Sequence, residues 1–505
     1  MQTSSGAGSP IVSFGRREES VASAQAVSGF RPCPGRGPVA AVAGVVLACI
    51  VISYAGLIGM GQWQGDEYVQ IPLYRQLGFH EYIDRIFGWS PRPVSELVVW
   101  LYAEAVEHDH RPHIIPFLAV LWAIVGLATI VTIRPSSYRG VLRYRLLLSL
   151  ALLAMFLVGH PISELFYWPD GSAAYLPTLA AIVVAFFLLI DRRQATPGRA
   201  LADTAVLLVA AGSSEVGMLF VLCLSAARFP ALLTRRKGRI GAWLHWAVPV
   251  ALSFVVVAVL LSVRAGVHEL PAAKTPYLHR PVASLLAAAA QTLRGVAVLT
   301  GEQAGAISLG GAATGLLVRL LFFLGVRWTW RAANRGDEPV EGAFGFALAC
   351  VAAAYAVLVA TDYQFGLLCC ERHIALRQCF YALAVAALAV GSANGRRRVP
   401  NSIAPLALVF AALIPFANTG VGWLRHDYRL YRTAVATRSS NWAEGMRRDT
   451  DAMVFRNAPV GRICHGTNIP PGKFTLGDNT PWLARGIMLF YGKRELTVRP
   501  PQELQ

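Results

Sequence analysis

Residues 38–60 read PVAAVAGVVLACIVISYAGLIGM, a block without a single charge. An α-helix needs about 20 apolar residues to cross the hydrocarbon core of a bilayer, and this block is long enough. It is too long for the core of a signal peptide and has no convincing cleavage site, so it reads as a retained anchor. Working outward, comparable blocks lie at 113–133, 145–161, 173–190, 241–263, 305–326, 342–361, 373–392 and 402–422. The stretch 201–229 is also apolar but is broken by Gly212-Ser213-Ser214-Glu215. It reads as two short helices meeting at a polar turn, tolerable only where protein or water covers that turn. The chain is 55% hydrophobic and 15% charged, with a mean hydropathy of +0.47, and a soluble protein of this size would carry far more charge. The sequence predicts an all-α integral membrane protein with about 11 transmembrane helices.

The net charge of +17 does not point to nucleic acid, because of where it lies. Basic residues cluster in alternate loops: Arg134, Arg139, Arg143 and Arg145; Arg192, Arg193 and Arg199; Arg235, Arg236, Lys237 and Arg239; Arg327, Arg331 and Arg335; and Arg396, Arg397 and Arg398. The loop 162–172 has no Lys or Arg. The positive-inside rule makes the basic loops cytosolic, with the N-terminus in the cytosol and the C-terminus outside the cytoplasmic membrane. No motif suggests nucleic acid.

Three parts follow. Residues 1–37, rich in Gly, Ser, Pro and Ala with Arg16-Arg17, read as a disordered cytosolic tail. Residues 38–422 form the transmembrane domain, and 423–505 an extracytoplasmic C-terminal region too short to bury much core alone, so it should pack on other outer loops. That region has turns at Pro470-Pro471-Gly472 and Gly477-Asp478-Asn479 and a strand-like end at Leu496-Thr497-Val498. The outer segment 264–304 contains, at 284–300, an interfacial or re-entrant helix. The first outer loop, 62–112, reads as two surface helices: one over 67–78, which Pro72 should interrupt, and one starting at Pro93 with a stripe of Val94, Leu97, Val98, Leu101 and Val106. A turn carrying Trp89 and Arg92 joins them. The eight cysteines show no metal spacing; Cys369-Cys370 and Cys464 would share the outer side, where a bridge is allowed, though they read more simply as interfacial residues.

Ionisable groups recur at the outer membrane face: Asp66-Glu67 after the first span, His160 and Glu164 to Trp168 after the third, Ser213-Ser214-Glu215 at the apex of the short pair, and Glu371-Arg372-His373 opening the tenth. Charge at membrane depth is expensive and so is a functional candidate. An acidic pair suits a general base. Arg92 and Arg372 suit a departing phosphate, since the guanidinium fork matches phosphate oxygens. Trp89, Tyr167, Trp168 and Tyr175 could stack on sugar faces.

The order of these motifs resembles GT-C class glycosyltransferases, multi-span enzymes that use polyprenyl-phosphate sugars. The likeness spans about 60–400. It rests on Asp66-Glu67, on Arg92-Pro93, on the run from Glu164 through Tyr167 and Trp168 to Gly171 and Tyr175, on Ser213-Ser214-Glu215 and on Glu371-Arg372-His373. The resemblance implies Asp66 as catalytic acid/base with Glu67 as substitute or helper, and an inverting transfer of a monosaccharide from a polyprenyl-phosphate donor to a hydroxyl of a glycan, lipid or protein acceptor. Arg92 and Arg372 would hold the donor phosphate, and Glu164 and Glu215 would orient sugar hydroxyls or the base. The Glu-Arg-His at 371–373 departs from a commoner Arg-Tyr ending. Some members of the class use a divalent cation beside the acidic motif and others do not; the sequence assigns no metal ligands.

Each residue also has a plainer reading. Asp66 and Glu67 could cap the first surface helix, Arg92 could snorkel, Glu164 and Glu215 could be hydrogen-bond partners inside the bundle, and the aromatics could belong to the interfacial belt. His108-Asp109-His110 with His113 alternates around a helix and makes a poor metal cluster. Two other functions compete: a glycolipid or polysaccharide transporter or flippase, which internal repeats would have favoured, and an acyltransferase resting on His160.

Overall fold

The computed structural model describes residues 38–131, 139–190, 197–234, 240–266, 280–299, 308–333, 340, 342–365, 371–393, 402–466, 468–477 and 479–501. The tail 1–37, Cys33, Cys369-Cys370 and most of the basic clusters lie outside the described residues, Arg139, Arg143, Arg145, Arg199, Arg327 and Arg331 excepted.

Each apolar block becomes a helix. The first is α1 (Pro38–Ala55), prolonged by a tight turn over Gly56–Met60. The later blocks give α5 (Ile114–Val131), α6 (Arg139–Leu157), α8 (Pro169–Ile190), α11 (Ile240–Gly266), α13 (Leu309–Ala333), α14 (Ala343–Phe365), α15 (Glu371–Gly391) and α16 (Ile403–Pro415). The broken stretch forms α9 (Pro197–Ser213) and α10 (Glu215–Thr234), which meet at Ser214 as the polar interruption predicts. The expected short outer helix is α12 (Pro281–Ala297), and a single turn, α7 (Ser163–Phe166), precedes α8. Among the described residues six helices are long and apolar enough to cross a membrane, fewer than the eleven or so expected. The blocks at 113–133, 145–161 and 241–263 keep their apolar character over shorter helical stretches, Ile114–Thr129, Tyr144–Leu157 and Ala247–Leu260. Six such helices, with lipid-type side chains such as Val45, Ile52, Leu316 and Leu348 exposed, are those of a membrane protein.

Two segments differ from the sequence reading. The first outer loop holds three helices rather than two: α2 (Asp66–Leu77), α3 (Phe79–Gly88) and α4 (Pro93–Asp109). The first runs through Pro72 instead of stopping there, giving up only the backbone bond that proline cannot donate. Pro93 does open α4. The C-terminal region is not mainly loop: α16 continues through a wide turn at Phe416–Gly420 into α17 (Val421–Gly445), one helical path from Ile403 to Gly445. Beyond it lie β1 (Ala452–Arg456), β2 (Gly472–Thr475), α18 (Trp482–Tyr491) and β3 (Glu495–Arg499). The strand order is β1-β3-β2, with β1 parallel and β2 antiparallel to β3.

Two cores result. One fills the helical bundle around α8 and α15, whose faces are the most enclosed; their N-terminal ends therefore sit in the middle of the bundle's rim. The other lies outside the bundle and joins distant sequence: Trp63, Tyr68, Ile71 and Tyr74 of the first loop pack with Phe455, Ile487, Phe490 and Val498 of the C-terminal region. The tail thus completes the first loop's core, as its small size required. Cys464 is buried and free, its Sγ directed at the Leu57 carbonyl at 3.9 Å.

Candidate active site

Gly65 makes the turn that delivers the acidic pair. Its φ of 144° is one that L side chains rarely adopt, and a Cβ there would lie 2.8 Å from the Trp482 ring of α18. Asp66 and Glu67 then become the first two residues of α2 and go separate ways. Glu67 is buried behind the wall of the site, where Oε2 accepts from the Gln64 N–H at 3.2 Å and Oε1 from the Asp170 N–H at 3.3 Å. It ties the start of α2 to the start of α8. Burial, then the neighbouring Asp170 and Asp66 carboxylates, push its pKa up to about 8, although the backbone donors oppose the shift.

Asp66 faces a polar cavity of about 180 Å³ that also involves Gln70, Arg85, Trp89, Arg92, Glu96, Trp168, Asp170, Tyr175 and Arg372. Burial raises its pKa above the usual carboxylate range, while Arg372, Arg85, Arg92 and a hydrogen bond with Asp170 pull the other way. Two carboxyls that close share a proton. No side-chain cap is made at the start of α2 by its N-cap residue, Gly65. The floor is an ion pair from Arg85 to Glu96 at 2.7 Å, with Tyr74 donating to Glu96 at 3.2 Å. Gln70, with its amide turned to satisfy both neighbours, donates to Asp170 Oδ1 and accepts from Arg85, each at 3.2 Å.

The opposite wall is cationic. Arg92 pairs with Glu215 at 2.6 Å and lies 5.9 Å from the Tyr175 ring centroid. Burial works against its charge, but Glu215, Tyr175 and Glu96 together outweigh that and raise its pKa. Arg372 sits 5.2 Å over the Trp168 ring and 3.6 Å from Glu164, whose carboxylate also accepts the Arg372 N–H at 3.3 Å. Tyr175 Oη is 3.3 Å from His373 Nε2. Ser90 Oγ, Arg92 Nε and Arg372 Nε are buried and have no partner among the described residues. Buried donors left open around a cavity mark a place for an acceptor-rich ligand.

The structure therefore brings Asp66, Arg92, Arg372, Trp89, Trp168 and Tyr175 to one cavity and sets Glu67, Glu164 and Glu215 directly behind it. Tyr167 is a correction. It faces α1, donating from its hydroxyl to the Tyr54 carbonyl at 2.8 Å, and does not reach the cavity; adjacent residues in so short a turn point to different sides. Sequence reading missed Asp170, Arg85, Glu96 and Gln70. Asp170 follows Trp168-Pro169, where an acid in the first turn looks like an ordinary helix start. Asp109 pairs with His113 at 2.9 Å and lies 3.8 Å from His108. Among the described residues no three His, Cys, Asp or Glu side chains are grouped to hold a metal ion.

One to two turns further along α4 and α8, an apolar groove of about 910 Å³ opens between α4, α5, α8 and α9, lined by residues such as Leu101, Phe117, Ile124, Ala181 and Val206. The chain matches no family model, no curated protein and no solved structure with which it was compared.

Proposed function

We propose that the protein is a GT-C-like membrane glycosyltransferase that moves one sugar from a polyprenyl-phosphate donor to an acceptor hydroxyl at the outer face of the cytoplasmic membrane. The observation that carries this reading is the meeting, in one small cavity, of a carboxyl pair (Asp66 and Asp170) with two guanidiniums, of Arg92 and Arg372, whose buried Nε donors have no partner among the described residues. Asp66 takes the proton of the acceptor hydroxyl as its oxygen attacks the anomeric carbon. The bond from that carbon to the phosphate oxygen breaks, and the polyprenyl phosphate leaves with the electron pair toward Arg372 and Arg92. Fixed charge of this kind is most effective where water is scarce. Attack opposite the leaving group inverts the centre. Glu215 and Glu164 hold the two guanidiniums in place; Trp89, Trp168 and Tyr175 offer rings to the sugar. The apolar groove beside the cavity suits the isoprenoid chain.

The threading belongs to the same proposal: about eleven crossings, N-terminus in the cytosol, C-terminus outside. Its support is that residues from 66, 170, 215 and 372 converge on one side, as the alternation of basic loops requires. Purified protein incubated with a panel of polyprenyl-phosphate sugars and small acceptor alcohols should release polyprenyl phosphate and form glycoside, both followed by mass. Movement of the lipid-linked sugar across vesicle membranes without release by any donor would replace the transferase with a transporter.

A further inference from the structure

We infer that α17 carries a binding stripe for the anionic headgroups of phospholipids in the leaflet where α16 leaves the membrane. The outward face of the continuous helix from Ile403 is apolar in its first half, with Ile403, Leu406 and Phe410 between 41% and 48% exposed. It remains so at Val421 and then changes abruptly: Arg425, Arg429 and Arg432 are all exposed, at the i, i+4, i+7 spacing of one helical face. The inward face over the same turns is Leu424, Asp427, Leu430 and Ala434.

Contacts with α1 fix the depth of the stripe. Tyr428, half-exposed among the arginines, donates to the Ser53 carbonyl at 2.8 Å, and a Cβ at Gly56 or Gly59 would strike the Tyr428 or Tyr431 hydroxyl. Residues 425–432 are therefore level with 50–60, the end of the first apolar block, where hydrocarbon gives way to headgroups. Tyrosine and arginine at that level are interfacial anchors, the arginine stem lying on the apolar side and its charge among the phosphates.

Among the described residues no group neutralises these charges. Among the described residues none of the three arginines makes an ion pair, a hydrogen bond or a ring contact. The acid on the same turns of the helix, Asp427, faces inward with its oxygens occupied by the N–H groups of Arg462, Ile463 and Cys464. In the proposed threading the stripe also lies opposite the basic loops, so the positive-inside rule does not account for it. Basic side chains at a membrane surface attract anionic lipid, at roughly fivefold in affinity for each residue.

The test is the full chain purified in mild detergent and titrated with short-chain phosphatidylglycerol or phosphatidylcholine, with bound lipid read by native mass spectrometry. The wild type should retain phosphatidylglycerol preferentially. The triple variant Arg425→Gln/Arg429→Gln/Arg432→Gln should lose that preference, the corresponding Lys triple should keep most of it, and Arg447→Gln/Arg448→Gln should leave it unchanged. Where the Gln triple fails to fold, Arg429→Gln alone should show the fivefold loss. Equal retention of both lipids by the wild type, or an undiminished preference in the Gln variants, overturns the inference. So does a water-soluble acidic glycan that displaces the lipid completely at matched charge, which would reassign the stripe to a polymer. Sugar transfer in neutral lipid should be the same in wild type and Gln triple, which keeps this result separate from the proposed activity.

Discussion

Two aspartates, the enclosed Asp427 and the half-buried Asp66, are treated in opposite ways. Asp427, wholly enclosed beneath the loop at 461–464, accepts three backbone N–H groups, from Arg462 at 2.6 Å, Ile463 at 2.9 Å and Cys464 at 2.8 Å. Gly461 packs so closely that a Cβ there would lie 2.5 Å from its Oδ2. Its lone pairs are committed to holding a turn. Asp66 instead shares a polar cavity with a second carboxyl, Asp170, and burial raises its pKa. A buried acid spent on the backbone builds structure; one left facing a second acid across a cavity is available for chemistry.

The largest expected effect breaks or upholds that contrast directly. Asp66→Asn should lower sugar transfer by about 10²–10⁴-fold, the usual loss of a general base, while the melting temperature stays within a degree or two. Transfer at the wild-type rate would place the base elsewhere. Asp427→Asn should do the reverse: its amide turns donors toward donors, at a cost on the order of 3 kcal/mol, and the loop at 461–464 should become sensitive to proteolysis. An unchanged melting temperature would show that the turn does not depend on the carboxylate.

A smaller effect tests the cationic wall. Arg372→Lys keeps a charge but loses the fork and the stacking on Trp168, so KM for the donor should rise about tenfold with expression intact; kinetics identical to wild type would return Arg372 to a structural pairing with Glu164. The smallest concerns Glu67. Its folded pKa of about 8 lies above the ordinary glutamate value of 4.5, so the folded state binds the extra proton. The stability this contributes is full below about pH 4.5 and is lost as pH rises through 8. Glu67→Gln should flatten the fall in melting temperature across that window, and a fall as steep as in wild type would mean that other groups titrate there.

The contrast also explains what the sequence could and could not reveal. Asp66 and Arg372 were legible because charge at the end of an apolar block is conspicuous on composition alone, and Arg92 because it stands in a turn directly before a helix-opening proline. Asp170 was not, since Pro-Asp-Gly after an aromatic run is equally a helix start. Arg85 and Glu96 were hidden for another reason: they lie on different helices, and only the packing of α3 on α4 brings them to 2.7 Å. Tyr167 was misassigned because an aromatic run gives no clue to which member faces inward. The helix α17 went unassigned because its polar face outweighs its apolar one, and its packing against the β1 strand and the first loop is a tertiary fact.

The outer core has a consequence for biogenesis. Tyr68, Ile71 and Tyr74, on the same helix as Asp66, are covered by Ile487, Met488 and Phe490, which emerge from the ribosome more than four hundred residues later. During synthesis the acidic helix must wait, its apolar side bare, until the end of the chain has been made and has folded back onto it. A chain stopped after Gly445 should therefore insert its spans yet present a first loop that proteases cut readily. The site is then among the last parts of the protein to acquire its shape, a natural delay before any activity can begin.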